Sequence, residues 1–392
     1  MLLRLNIGRK LRKLQKTKPG QGSSQLQIYL DQAAAARPSR DILDYYRSRL
    51  EENFANQEAA HGLGYETRRR LDAAAEQLSA ALFGGERRAV VWGMSGTELF
   101  GLAADSPLAA GRAIVSSRLE HPALLANLRR TAGKLTLLGA GRDGGILPEP
   151  AAGAEFAAFH LVQSELGRIQ DPEIFGRTAP GAVRLLDAIQ AAGRIPIPAK
   201  AAELVVVSGH KFGAPGGAAI LVDPKAKCAK AFLDFAQRYR HADYRIGRPE
   251  PAVLLTMAYA AELRRRELET AAGKARRLNR FLRDSLAGLS LPGGRKSFCT
   301  IPEELASPWI LHLMLPGIET GVAVRMLSEA GILVAAGSAC SSESREPSPA
   351  LLAVGFRRDE AWSGLRVSFG PDSTPEDAEK FVEALRNVLK NW

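Results

Sequence analysis

The chain has 392 residues, of which 46% are hydrophobic and 24% charged, with a formal net charge of +11. This is ordinary globular composition, long enough for two packed cores rather than one, and it excludes a purely disordered or fibrous chain. No apolar run approaches the roughly 18 residues a bilayer crossing needs, and the N-terminus lacks the apolar core of a secretory signal. A soluble protein of the cytoplasm is expected. Cys228, Cys299 and Cys340 show neither a CxxC pair nor metal-ligand spacing, and their odd number suits a reducing compartment. No metal site is expected. Arg4, Arg9, Lys10, Arg12, Lys13, Lys16 and Lys18 all precede the first acidic residue, so the remaining body is only mildly basic and nucleic acid is not implied. Residues 1–26 read as a basic N-terminal extension. Leu3, Ile7, Leu11 and Leu14 give it helical spacing, and a solvated tail and a mitochondrial presequence are the competing readings.

From residue 28 the pattern predicts a short strand, a helix capped by Ser39, and a long helix over 65–83 stopped by Gly84 and Gly85. Apolar runs at 89–92, 113–115, 156–162, 182–186, 204–207 and 218–222 alternate with helical stretches. That alternation predicts a mostly parallel sheet covered on both faces. Residues 249–289 are strongly helical and predict a long helix leading out of the first domain. Strand-like runs at 309–315, 332–335 and 365–369, with helices at 320–330 and after Thr374, predict a small α+β domain. The expected fold is therefore α/β, with a large domain over residues 40–249 and a smaller one formed by 27–39 and 250–392.

Six positions carry chemistry. Lys211, in Ser208-Gly209-His210-Lys211, follows the apolar run 204–207; in a partly desolvated pocket such a lysine could hold an aldehyde cofactor, and in a solvated loop it would do nothing. Asp187 closes the run before it, placing a carboxylate where a pyridine-ring nitrogen would need one; Gln190 could hydrogen-bond the ring's phenolic oxygen. The plain alternative for Asp187 is a helix cap. Ser95-Gly96-Thr97-Glu98 follows a strand and opens a helix, as an anion site or as a capping box. His121, after Glu120, is flat enough to stack on a ring and basic enough to move protons. Gly337-Ser338-Ala339-Cys340-Ser341-Ser342, followed by Glu346-Pro347-Ser348, puts a thiol in a loop of small residues, where an exposed thiolate can attack sulfur or where a turn carries an incidental thiol. Arg366 interrupts a strand-like run and could clamp a carboxylate, or face water on an edge strand.

The order of these motifs, strand-SGTE, EHP, LDAIQ, SGHK, GSACSS with EPS and LRVSFG, resembles the cysteine desulfurases, fold-type I enzymes akin to class V aminotransferases. The resemblance covers residue 28 to the C-terminus, and the GSACSS loop is similar to the subgroup that serves iron-sulfur assembly through a long mobile cysteine loop. It implies pyridoxal 5'-phosphate on Lys211, a persulfide carried by Cys340, and a homodimer that passes sulfur to an acceptor protein, a scaffold or carrier. It further implies that His121 stacks on the ring, that Asp187 and Gln190 bind it, that Gly96, Thr97, Ser208 and His210 surround the phosphate, and that Arg366 takes the carboxylate of L-cysteine.

The chain departs from that pattern in four places. Gln163 and Ser164 stand where two asparagines are usual, so an amide that touches cofactor and substrate is missing and Ser164 is too short to replace it. Arg245-Ile246-Gly247-Arg248 replaces Arg-Ser-Gly-Thr, which makes Arg248 the residue expected to pair with a neighbouring subunit's phosphate. Asn56-Gln57 replaces Asn-Pro, and Gln32-Ala33-Ala34-Ala35 replaces an aromatic-Ser-Ala-Thr segment. The rival expectations are a relative acting on another amino acid, as a selenocysteine lyase or aminotransferase, and a non-catalytic scaffold that kept the fold.

Overall fold

The computed structural model describes residues 27–241, 247, 249–337, 346–390 and 392. Strand β1 is Ile28–Tyr29, followed by helices α1 (Arg40–Glu52) and α2 (Gly62–Phe83). Ser39 caps α1 by accepting from the Ile42 N–H, and Gly84, at φ 63°, ends α2 in the left-handed conformation that glycine adopts without steric cost.

The central element is a seven-stranded sheet. In chain order it comprises β2 (Ala89–Gly93), β3 (Ala113–Ser117), β4 (Lys134–Leu138), β5 (Phe156–His160), β6 (Val183–Asp187), β7 (Leu204–Ser208) and β8 (Ala218–Val222). Across the sheet the order is β2-β8-β7-β6-β5-β3-β4, and β8 alone runs antiparallel to its neighbours. Helices α3 (Gly96–Asp105), α4 (Pro122–Thr131), α5 (Ile174–Thr178) and α6 (Ala229–His241) join or follow these strands.

Successive side chains of a strand point to opposite faces, so the unbroken apolar runs feed two cores at once. Phe156, Ala158, Leu185, Leu204, Val206 and Ile220 pack on one face with Phe100 of α3 and Phe232 of α6. Ala157, Phe159, Leu186, Val205, Val207 and Leu221 pack on the other with Leu71 and Leu78 of α2. That second core also holds Leu254 and Met257 of α7 (Pro251–Leu286), the long helix expected from residues 249–289.

Beyond α7 lie β9 (Phe298–Cys299), β10 (Ile310–Met314), α8 (Thr320–Glu329), β11 (Ile332–Leu333), β12 (Ala335–Ala336), α9 (Pro349–Ala353), β13 (Gly364–Ser368) and α10 (Pro375–Lys390). Strands β12, β13, β10 and β9 make an antiparallel sheet in that order, while β1 pairs in parallel with β11. The N-terminal segment is tied further to β13, because the Ser368 N–H donates to the Leu30 carbonyl and the Ala33 N–H to the Ser368 hydroxyl. Among the described residues no helix is long and apolar enough to cross a membrane.

Two elements of the large sheet region lay outside the sequence expectation. Strand β4 is an edge strand whose Lys134 is exposed and whose next three residues are half-buried, so it carries no apolar run to read. Helix α6 buries only one stripe, Phe232, Phe235, Ala236 and Tyr239, among charged residues. The run at 156–162 also ends as a strand two residues early, at His160.

Candidate active site

The C-terminal ends of β2, β3, β5, β6 and β7 lead into one cavity of about 210 Å³, the position where open α/β sheets bind ligands. Every expected cofactor- and substrate-site residue that the structure describes lines it: Lys211, Asp187, His121, Gly96, Thr97, Gln190, Ser208, His210, Ser164 and Arg366. Cys340 and Arg248 lie outside the described residues.

Lys211 sits in a single 3-10 turn, Gly209–Lys211, immediately after β7. Its Nζ donates to the carbonyls of Ala34 at 2.7 Å and Ala33 at 3.1 Å, so the N-terminal segment forms the wall behind the amine. The solvated-loop reading of Lys211 therefore fails. Gly209 is required by close approach: a Cβ there would stand 2.3 Å from the backbone oxygen of Gly216.

The anion end of the cavity has two parts. At the head of α3, Ser95 accepts from the Glu98 N–H at 3.2 Å and Glu98 accepts from the Met94 N–H at 2.6 Å, so the capping reading holds for those two side chains. Gly96 and Thr97, at the first turn, remain on the cavity wall, where the helix presents N–H groups and the positive end of its dipole. On the facing side the Ser208 hydroxyl lies 2.9 Å from His210 Nδ1. Burial, with Lys211 and Arg194 nearby, pushes the His210 pKa down to about 4, a bias that an anion beside the ring would reverse.

Asp187 ends β6 and enters a turn, with Oδ1 accepting from the Ile189 N–H at 2.9 Å; no helix starts there, so the helix-cap reading is overturned. Burial raises its pKa to about 6, with Glu120 adding to the rise and the Ile189 N–H, His160 and Lys211 opposing it. A bound ring N–H would supply the partner that this carboxylate wants. His121 caps α4, Nδ1 accepting from the Ala123 N–H at 3.1 Å, and burial followed by Lys211 lowers its pKa, so its flat neutral ring faces the cavity. Gln190 lines the cavity, but its Nε2 donates to the Ala33 carbonyl and its Oε1 accepts from Arg194 at 2.7 Å.

Arg366 is 2% exposed, on the interior strand β13, so the edge-strand reading is overturned. Its Nη2 donates to Asp31 at 2.6 Å and its Nη1 to the Ser164 carbonyl at 3.0 Å, while Nε is buried without a hydrogen-bond partner. An orphaned buried donor of this kind calls for an anionic ligand. The contribution of Ser164 is through its backbone.

Three cavity features escaped the sequence reading: Asp31 on Arg366, the Ala33 and Ala34 carbonyls, and His160, which is hydrogen-bonded to Glu120 at 2.8 Å. His160 had a findable signal, since it ends an apolar run just as Asp187 does. Among the described residues the cysteines are Cys228 and Cys299; burial pushes both thiols up, and neither lines the cavity.

This donor set fits pyridoxal 5'-phosphate, with an amine for the aldehyde, a buried carboxylate for the ring nitrogen, a flat imidazole, and a helix N-terminus with a hydroxyl for the phosphate. The aminotransferase class-V family matches the chain over residues 28–381. A putative cysteine desulfurase IscS 1 of Bacillus subtilis (strain 168) is 28% identical over 383 residues, 93% of this chain and 98% of the relative. A cysteine desulfurase IscS of Anaeromyxobacter sp. (strain Fw109-5) is 28% identical over 375 residues, 91% of this chain and 90% of the relative. In structure, a NifS-like protein from Rickettsia africae ESF-5 superposes with a TM-score of 0.77 at 20% identity, covering 93% of this chain and 99% of that one.

Proposed function

The chain belongs to the aminotransferase class-V family, and from that premise we propose that it is a pyridoxal 5'-phosphate-dependent cysteine desulfurase. It converts L-cysteine to L-alanine, leaves the sulfur as a persulfide on Cys340, and donates it for iron-sulfur cluster or thio-cofactor assembly. The observation that carries this reading is the convergence of Lys211, Asp187 and Arg366 on one cavity at the strand ends. The names of the relatives support the substrate.

When bound, pyridoxal 5'-phosphate supplies an aldehyde that captures amines and a protonated ring that takes up electrons. The residues of the chain do the rest. Gly96, Thr97, Ser208 and His210 hold the phosphate, His121 covers the ring face, and Asp187 keeps the proton on the ring nitrogen. Arg366 receives the substrate carboxylate and fixes the amino acid relative to Lys211, whose freed amine takes the α-proton. The Cys340 thiolate attacks the substrate sulfur; the S–S bond forms, the Cβ–S bond breaks, and the carbon keeps the electron pair and gains the proton given up by the substrate thiol, becoming the alanine methyl group. The enzyme works as a homodimer in the cytoplasm, Arg248 supports the partner's phosphate, and an acceptor protein collects the persulfide. Loading the purified protein with cofactor and reducing with borohydride should leave a pyridoxyl group on the Lys211 peptide; a protein that stays colourless with added cofactor contradicts the reading.

A further inference from the structure

Helices α8 and α10 leave a groove of about 760 Å³ between them that the proposed function does not use. Its floor is apolar and forms the edge of the main core: Ile28 of β1, Ile332 of β11 and Val388 of α10 are buried, and Met326 and Ala384 pack against that core half-buried. Its rim is acidic. Glu329, Glu376, Asp377 and Glu383 line it with one cation, Lys380. Asp377 is engaged at the start of α10, where it accepts from the Thr374 N–H at 2.8 Å. Glu329, Glu376 and Glu383 are exposed and form no ion pair among the described residues.

The chain's own N-terminal extension starts from this groove, because Gln27, the first described residue, lies on its wall. Residues 1–26 contain seven Arg and Lys residues and no acid, opposite in sign to the rim. Leu3, Ile7, Leu11 and Leu14 recur at a spacing that puts them on one face of a helix. A helix over residues 3–18 has 16 residues, as α10 has, and both lengths come to about 24 Å. The stretch from Pro19 to Leu26 is rich in turn residues. With a flexible span of about 16 Å, it is long enough to bring the helix back over the groove and short enough to keep its local concentration high. Alone in water a basic helix of this length, interrupted by Gly8, is marginal, so packing on an apolar floor is what folds it.

We propose that the groove between α8 and α10 is the docking site of residues 3–18 of the same chain, which lie on it as an amphipathic helix. Leu3, Ile7, Leu11 and Leu14 cover the apolar floor, and the flanking Arg and Lys side chains pair with Glu329, Glu376 and Glu383. Apolar contact supplies the affinity, and the opposed charges supply the register. The docked segment braces β1 against β11, and β1 leads on to Ala33 and Ala34, the carbonyl wall behind Lys211. This docking is independent of what the cavity binds.

Carbodiimide treatment of the full-length protein joins lysines to carboxylates that already touch, and so reads the contact directly. The expected products keep the mass of one chain on a denaturing gel, and their peptides join Lys10, Lys13, Lys16 or Lys18 to Glu329, Glu376 or Glu383. In the Ile7→Asp, Leu11→Asp double variant these links should fall several-fold. Amide hydrogen exchange over residues 326–332 and 384–390 should quicken several-fold in the same variant, while the central sheet keeps its wild-type exchange. Glu329→Gln, Glu376→Gln and Glu383→Gln combined should quicken the same two stretches. Absent links, or links scattered over carboxylates elsewhere on the surface, mark a solvated tail and overturn the proposal. The same peptides joined in a product of twice the chain mass assign the groove to the extension of a second copy and overturn docking within the chain. Unchanged exchange in the double variant overturns the proposal as well, because an unpacked tail leaves both helices as they are.

Discussion

The residues of the cavity are held in states that cost the empty protein stability. Asp187 carries the plainest consequence, since its pKa of about 6 exceeds the ordinary 3.8 because burial disfavours the anion. A carboxyl whose folded pKa is raised contributes stability that is complete below the unfolded pKa and lost as pH rises through the folded one. The cofactor-free protein should therefore lose up to about 3 kcal/mol from this group between roughly pH 4 and 7. Asp187→Asn should be the more stable protein at pH 7 in denaturant unfolding, with the advantage vanishing near pH 4. Equal stability at both pH values would contradict the assigned environment. Asp31 leads to a second expectation, because it already occupies one donor of the guanidinium proposed to take a substrate carboxylate. Asp31→Asn should bind the unreactive product L-alanine several-fold more tightly in the cofactor-loaded enzyme, while losing about 1–3 kcal/mol of stability from the weakened buried hydrogen bond to Arg366. Weaker or unchanged L-alanine binding would show that Asp31 and the substrate do not compete. Asp187 and Arg366 were legible in the sequence because they sit at the end of or within an apolar run, and Lys211 because it follows one after a short polar turn. Asp31 was not, because its role depends on a strand more than 300 residues away.

At the scale of elements, the site exists because the ends of β5 and β6 and the residues following β2, β3 and β7 line one cavity. The turn after β7 is the tightest: Gly209 donates to the Gly217 carbonyl while accepting from Phe212, and it leaves no room for a side chain. Gly209→Ala should force the turn open, cost about 1–3 kcal/mol and weaken cofactor retention by displacing Lys211, readable together by thermal unfolding and by cofactor titration. Wild-type retention in that variant would mean that the turn does not position the lysine. The strands that build the site were legible because both their faces are buried, which writes an unbroken apolar run into the chain. Strand β4 was illegible for the opposite reason, since the edge of the sheet has one half-open side and tolerates Lys134 and Thr136. The wall formed by Ala33 and Ala34 was equally silent, because it acts through carbonyls and any side chain could carry it.

Across the whole molecule, one continuous core runs from the large sheet through α7 to β10, β13 and α10, joining the strands that carry Lys211 and Asp187 to the strand that carries Arg366. That continuity fixes the distance between the cofactor end and the carboxylate end of the cavity, which a reaction at the α-carbon of an amino acid requires. On the proposed function, sulfur leaves this frame through a thiol. Cys228 and Cys299 are both poor candidates, because burial raises their pKa and neither lines the cavity. The measurement that tests the account most directly is peptide mass analysis of the cofactor-loaded protein after incubation with L-cysteine, with alanine counted in the same sample. The account predicts one added sulfur on the Cys340 peptide, alanine in matching amount, and neither sulfide nor persulfide from Cys340→Ser, which keeps its cofactor. Sulfur found on Cys228 or Cys299 instead, or undiminished sulfide release by Cys340→Ser, would contradict it.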